Sequence, residues 1–177
     1  MKRTKLFCLA AFVMGLMATA AFTSCGDDDD DSSSYATSRT VTVEGISLPS
    51  LDYVSWCEYR GNNTSDYEIT WATYAPGTYQ QNMESAYVKV RYSSSRQGAT
   101  ELPTGTLPAS AYHASGYMRW QGAFEGFDTT NDNTATLTVE KSGNGYKVSV
   151  NGMTVITTIK RTTVKGSISY TGDITKE

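Results

Sequence analysis

Apolar and polar residues alternate along most of the chain after Arg39, and this period of two restricts the fold more than any other feature. The segments 86–93 and 135–140 show the alternation most clearly. Successive side chains of a β-strand point to opposite faces, so the pattern predicts strands with one buried and one solvated face. No window after residue 34 shows the 3.6-residue apolar period of an amphipathic helix. The predicted strands are 39–46, 52–59, 66–74, 86–93, 116–122, 135–140, 146–150, 153–159 and 164–174.

Short turns rich in glycine and asparagine separate these strands. Gly143-Asn144 and Asn151-Gly152 are typical of tight hairpin turns, and both are predicted as such. Prolines between 93 and 116 argue against a regular central strand there, and 126–133 is predicted as a loop. About nine strands with such connections predict an all-β fold, either an antiparallel β-sandwich or a flattened meander β-barrel. A calycin-like barrel is the alternative.

The first 24 residues have the pattern of an export signal. Lys2, Arg3 and Lys5 precede an uncharged apolar stretch that extends to Phe22. The sequence Phe22-Thr23-Ser24-Cys25 resembles the lipobox of bacterial lipoproteins, with Phe22 in place of the usual leucine. The resemblance implies that signal peptidase II cuts before Cys25 and that Cys25 carries the lipid. Residues 1–24 are therefore predicted to be a lipoprotein signal peptide.

A run of five aspartates and three serines, Asp27–Ser34, follows the cysteine. Like charges repel and serine adds little apolar area, so residues 25–34 are predicted to be a lipidated, flexible, acidic tether. The run resembles the acidic stretch of Bacteroidetes-type lipoproteins, which implies anchoring in the outer membrane with display at the cell surface. The end of the chain, from about residue 133, also resembles uncharacterised β-rich lipoproteins of that group.

The acidity of the chain is concentrated in the tether. The sequence has 15 basic and 18 acidic residues, and removal of Lys2, Arg3 and Lys5 with the signal peptide leaves 12 basic residues. Five of the 18 acidic residues belong to the aspartate run, so residues 35–177 contain 12 basic and 13 acidic residues. This near-neutral segment, predicted to be a single all-β domain, lacks the basic surface that nucleic acids require. No nucleic-acid partner is expected.

The sequence offers little for catalysis or metal binding. His113 is the single histidine and is predicted in the loop 109–115, without a nucleophile motif nearby. Cys57 is the only cysteine left after residue 25, and one histidine with one cysteine lacks the spacing of a zinc site. Glu58 and Glu68 lie on neighbouring predicted strands, and a facing pair would allow glycoside hydrolysis. We expect a protein that is not an enzyme and has no metal or cofactor.

Aromatic residues with a polar group are unusually frequent, with 12 Tyr and 3 Trp against 5 Phe. Such rings stack on sugars and also serve protein interfaces. Tyrosine is also a good strand former, and Trp56, Trp71 and Trp120 fall at core-type positions, so a structural role stays open. On the predicted alternation, one outward face carries the candidate ligand-binding residues Tyr87, Lys89, Arg91, Tyr117 and Arg119.

These observations predict a lipid-anchored outer-membrane protein with a non-catalytic binding or surface-structural domain. Its expected partners are the membrane, through the lipid, and a glycan or a surface protein. Glycan capture is the leading candidate activity. A barrel-type carrier of a small apolar ligand and a small glycoside hydrolase are the alternatives.

Overall fold

Regular structure follows the alternating segments of the sequence. The computed structural model describes residues 38–79 and 83–177, and the regular structure in these ranges is almost entirely β-strand, with one 3₁₀ turn at Ala109–Ala111. The predicted all-β fold class is confirmed. The strands are β1 (Ser38–Val43), β2 (Tyr53–Arg60), β3 (Ser65–Ala72), β4 (Ser85–Ser94), β5 (Gly105–Leu107), β6 (Tyr112–Trp120), β7 (Ala123–Thr129), β8 (Leu137–Ser142), β9 (Gly145–Thr157), β10 (Thr163–Gly172) and β11 (Thr175–Lys176).

The strands form one curled sheet in the order β1-β10-β9-β7-β6-β4-β3-β2-β11. β8 pairs with residues 145–150 of β9 and also with the short β5, whereas β7 pairs with residues 155–157 of β9. On one side, the long β9 thus changes its partner from β8 to β7 about halfway along its length, and the sheet curls at this point. The result is an open curl, consistent with a β-sandwich or half-barrel. Within the described ranges, β11 with β2 is the one parallel pair of strands.

One hydrophobic core fills the inner face of the curl. Trp56, Ile69 and Val88 come from the neighbouring strands β2, β3 and β4, and all three are at most 2% exposed. Burial of each such side chain stabilises the fold by about 1.5–3 kcal/mol. Trp71 is also fully buried, whereas Trp120 is only half-buried against the core. The residues between these apolar positions point away from the core and form the outer face.

The prediction of a hairpin turn at Asn151-Gly152 is wrong. β9 continues through these two residues, which together oppose the single Ser167 of β10. Two residues facing one make a β-bulge, which bends the strand and increases its twist. Gly152 takes the positive φ of 66° that the bulge needs, and its amide donates a hydrogen bond to Ser167 Oγ at 3.0 Å. By contrast, Gly143-Asn144 forms the predicted two-residue turn between β8 and β9.

Two further predictions about loops are wrong. Residues 126–129 of the predicted loop 126–133 belong to β7. This strand pairs with β6 through a tight turn at Gln121-Gly122. His113 lies in β6 rather than in a loop, with its side chain on the outer face opposite Arg91. The glycine at 126 obscured the alternation of β7 in the sequence, although Phe127 is fully buried as an inward residue.

The predicted signal peptide, Cys25 and the predicted acidic tether lie outside the described residues, and so do residues 35–37. Their predicted roles stay predictions. Among the residues that the structure describes, no helix has the length and apolar character to span a membrane.

Candidate functional site

The outer face of β4 and β6 carries two tyrosines directly opposite each other. Tyr87 pairs with Tyr117 in the register of these strands, and their rings stack with centroids 5.7 Å apart and planes at 24°. Phe124 of β7 packs edge-on against Tyr117 at 5.2 Å and is itself 52% exposed. The alternation of β4 sends its neighbours Ala86 and Val88 into the core, so this aromatic row belongs to the surface of the sheet.

A turn after β3 adds two more tyrosines to this surface. Tyr74 and Tyr79 flank Pro76-Gly77, and the turn is closed by a hydrogen bond of 3.1 Å from the Thr78 amide to the Ala75 carbonyl. Their ring centroids are 5.4 Å apart. Neither tyrosine is among the candidate site residues predicted from the sequence. Two tyrosines five positions apart on either side of a Pro-Gly pair are the signal that could have identified them.

The four tyrosines line one cavity of about 300 Å³, which we call the tyrosine cleft. Tyr79 is 54% exposed at its rim, whereas Tyr74 and Tyr87 are half-buried. Burial raises the pKa of both half-buried tyrosines, so their hydroxyls stay protonated at neutral pH and can donate as well as accept hydrogen bonds. The cleft therefore offers flat apolar ring faces edged by neutral hydroxyls.

Beside the cleft, a buried carboxylate holds two cations on the outer face. Glu68 is only 4% exposed and accepts hydrogen bonds from Lys89 Nζ at 2.8 Å and from Arg91 Nε and Nη2 at 3.1 and 2.7 Å. We call these three residues the ion cluster. Burial alone would raise the pKa of Glu68, but the hydrogen bonds and charges of Lys89 and Arg91 together lower it. Glu68 is therefore ionised at neutral pH.

The two cations of the ion cluster differ in their positions relative to the cleft. Lys89 Nζ lies 5.3 Å from the centre of the Tyr87 ring, at the border of the cleft. Arg91 lies over the ring of Tyr59, 4.7 Å from its centre, on the far side of Glu68. The candidate residue Arg119 is exposed on β6, opposite Phe124, and does not line the cleft. Of the five predicted residues, the structure thus places Tyr87 and Tyr117 in the cleft and Lys89 at its border.

The two glutamates considered for hydrolysis lie on opposite faces of the sheet. Glu58 pairs with Tyr67, whereas Glu68 pairs with Cys57, and consecutive strand residues point to opposite sides. Glu58 accepts hydrogen bonds from Ser65 Oγ and the Gly98 amide, both at 2.7 Å. The expectation that the two carboxylates face each other is wrong, because the register of β2 and β3 separates them. Through these hydrogen bonds, Glu58 of β2 instead links the loop after β4 to β2 and β3.

His113, the remaining polar candidate, lies next to a carboxylate, and the buried Asn133 is hydrogen-bonded within the fold. His113 Nε2 lies 3.4 Å from Asp128 Oδ1, and both side chains are more than half exposed. Asn133 is buried, with its carbonyl oxygen accepting from the amides of Ala135 and Thr154 and its amide donating to Tyr112. In the part of the chain that the structure describes, no group of three or more His, Cys, Asp or Glu side chains is arranged to hold a metal ion.

Comparisons with known proteins leave the site to be interpreted from its own chemistry. No protein-family model, no curated protein and no solved structure matches this chain.

Proposed function

We propose that this protein is a lipid-anchored outer-membrane lipoprotein whose β domain binds glycans without catalysis, with the tyrosine cleft as its binding site. The observation that carries the proposal is the cleft itself, a cavity of about 300 Å³ lined by four tyrosines on the solvent side of the sheet. A sugar ring presents apolar C–H faces to aromatic rings and hydroxyls to polar groups at their edges. Tyrosine provides both kinds of contact in one side chain.

The surroundings of the cleft support a rigid, preformed site. Tyr87 and Tyr117 stand on paired central strands, and the stack between them orients both rings before any ligand arrives. Preorganised aromatic groups bind with little loss of side-chain entropy. The inner face of the curl, by contrast, is filled by core side chains. This favours a ligand on the outer face over an apolar ligand carried inside.

A glycan array tests the binding proposal. The full chain, purified in mild detergent, is expected to bind a subset of glycans saturably, and Tyr79→Ala is expected to weaken that binding about tenfold or more. Tyr53→Ala is the matched control, because Tyr53 is 46% exposed, close to the 54% of Tyr79, and does not line the cleft. Absence of binding to every glycan, or equal losses in both variants, would contradict the proposal.

The anchor and the location require a separate test. Cells expressing the protein are grown with a clickable fatty acid, and the label is expected on the wild type and not on Cys25→Ala. Protease treatment of intact cells is then expected to degrade the β domain. A domain that resists protease until the outer membrane is broken would show that it faces the periplasm.

A further inference from the structure

We infer that the tyrosine cleft selects sugars that carry a carboxylate, such as uronic acids, and that Lys89 is the residue that receives the carboxylate. The inference rests on the proposed glycan-binding function and specifies its ligand class. Three arguments support it: the position of Lys89, the net positive charge of the ion cluster, and the repulsion of cationic ligands by Lys89.

Lys89 has hydrogen-bonding capacity left for a ligand. Its ammonium group carries three donors, of which one is used by Glu68 at 2.8 Å. The described residues provide no other hydrogen-bond acceptor to Nζ, and 34% of the side chain is exposed. With Nζ only 5.3 Å from the Tyr87 ring centre, a sugar stacked in the cleft can place a substituent within reach of these donors.

The ion cluster carries an excess of positive charge. One carboxylate, Glu68, faces two cations, and Arg91 occupies one of its oxygens with two hydrogen bonds. Lys89 shares the other oxygen, so the cluster has a net charge of about +1. This surplus charge lies on the side of the cluster that borders the tyrosine cleft, because Arg91 is directed toward Tyr59. A ligand carboxylate at Lys89 would neutralise the cluster.

Three other acidic residues of this face are further from Lys89. Asp66 lies opposite Ser93, accepts a hydrogen bond from it, and acts on Arg91 rather than on Lys89. Lys89 of β4 pairs with Ser115 of β6, which pairs with Asp128 of β7, so Asp128 is two strands away from Lys89. Asp128 lies beside His113. Glu177 accepts a hydrogen bond from Ser55, which is two strands away on the other side. Neighbouring strands are about 4.8 Å apart, so each row position is on the order of 10 Å from Lys89, near the Debye length at physiological salt. These carboxylates weaken the local positive potential without pairing with Lys89.

The position of Lys89 also disfavours cationic ligands, although clusters of aromatic rings often bind them. Clusters of aromatic rings bind quaternary ammonium groups through cation–π contacts. Here the Lys89 ammonium already lies near the Tyr87 ring and would repel a second cation at that distance. An anionic sugar gains from the same charge.

The test uses a matched pair of ligands, α-1,4-linked tetragalacturonate and its fully methyl-esterified form, titrated calorimetrically into the full chain in detergent. The acid is expected to bind about tenfold tighter than the ester at low ionic strength, and added salt is expected to reduce the difference. Lys89→Met is expected to remove the preference for the acid, so that the acid and the ester bind with similar affinity. Lys89→Arg, which keeps the charge, should retain the preference.

Lys147→Met is the charge control, since it removes one exposed lysine from β9 and changes the net charge equally. Its preference should equal that of the wild type. Equal affinities of the wild type for acid and ester, or a preference that survives Lys89→Met, would overturn the inference and leave glycan binding intact. Binding of neutral array glycans with neither tetramer bound would also overturn the inference alone. Absence of binding to any glycan would instead refute the proposed function.

Discussion

Tyr87 of β4 stacks on Tyr117 of β6, its direct partner in the register, with ring centroids 5.7 Å apart. Offset stacking of two aromatic rings stabilises a fold by about 0.5–1.5 kcal/mol beyond the area that each ring buries. The same contact fixes the floor of the proposed binding site, so stability and binding are linked at this pair.

The stack is measurable by a double-mutant cycle in urea unfolding. Tyr87→Ala and Tyr117→Ala, alone and combined, are expected to give a coupling free energy of about 0.5–1.5 kcal/mol. The control cycle pairs Tyr117→Ala with Tyr59→Ala, since Tyr59 lies on β2, three strands away from β6. That cycle should be additive within about 0.5 kcal/mol. Equal coupling in both cycles would show that the tyrosine stack has no specific energy.

Glu58 is expected to make the protein sensitive to acid. The hydrogen bond from the Ser65 hydroxyl, followed by those from the Gly98 amide and Arg60, lowers the pKa of Glu58 to about 2 from a usual 4.5. A lowered pKa in the folded state means that Glu58 contributes stability above pH 4.5, and that this contribution is lost as the pH falls toward 2. The free energy of unfolding should therefore decrease over this range.

The variant Glu58→Gln should flatten this decrease, measured as urea midpoints between pH 6 and pH 2.5. Glu140→Gln, a change at an exposed position of β8, serves as the control and should keep the slope of the wild type. A slope that is the same in Glu58→Gln and in the wild type would contradict the assignment.

Two buried serines should respond in opposite ways to replacement by alanine. Ser65 is 0% exposed and its Oγ donates to Glu58 at 2.7 Å. Ser85 is 1% exposed, and its Oγ has no hydrogen-bond partner within the described part of the chain. Loss of a hydrogen bond to a buried partner costs about 1–3 kcal/mol, whereas removal of an unsatisfied hydroxyl costs nothing or stabilises. Ser65→Ala should lower the urea midpoint, and Ser85→Ala should leave it unchanged or raise it. A clear loss of stability in Ser85→Ala would show that its hydroxyl has a partner.

Because Gly152 lies in the bulge of β9, Gly152→Ala is expected to lower the free energy of unfolding. A Cβ at this position meets no atom within 4 Å, so the cost comes from the positive φ of 66° alone, about 1 kcal/mol. Gly105→Ala is the matched control, because its Cβ also meets no atom within 4 Å and its φ is outside the left-handed region. Thermal unfolding should show a lower midpoint for Gly152→Ala and an equal or higher one for Gly105→Ala. A lower midpoint for both variants would point to a cause other than backbone strain.

The strand content was predictable from sequence because the face of each residue in a strand depends only on its position along the chain. The segment 86–93 shows this, since its apolar residues Ala86, Val88, Val90 and Tyr92 are all buried. Asn151-Gly152 was misassigned because a tight turn and a bulge both need a residue with positive φ, and local sequence does not distinguish them. The partner strand β10 decides between them, and it lies further along the chain.

The candidate site was predictable only in part, for a similar reason. The alternation of β4 and β6 was sufficient to select Tyr87 and Tyr117 as outward residues. The contribution of Tyr74 and Tyr79 depends on how the turn after β3 folds over the sheet. The pairing of Lys89 and Arg91 with Glu68 depends on the register between β3 and β4, which brings Glu68 opposite Arg91. Long-range register of this kind is not encoded in a single segment.

The pairing of β1 with β10 determines when the sheet can be completed. Val41 pairs with Ile168, so the first described strand has its neighbour near the end of the domain. Synthesis proceeds from the amino terminus, so β1 is present before β10 is available. Contacts between such distant segments form slowly, because a long loop must close first. The edge of β1 therefore stays open to pairing with other chains until β10 is in place.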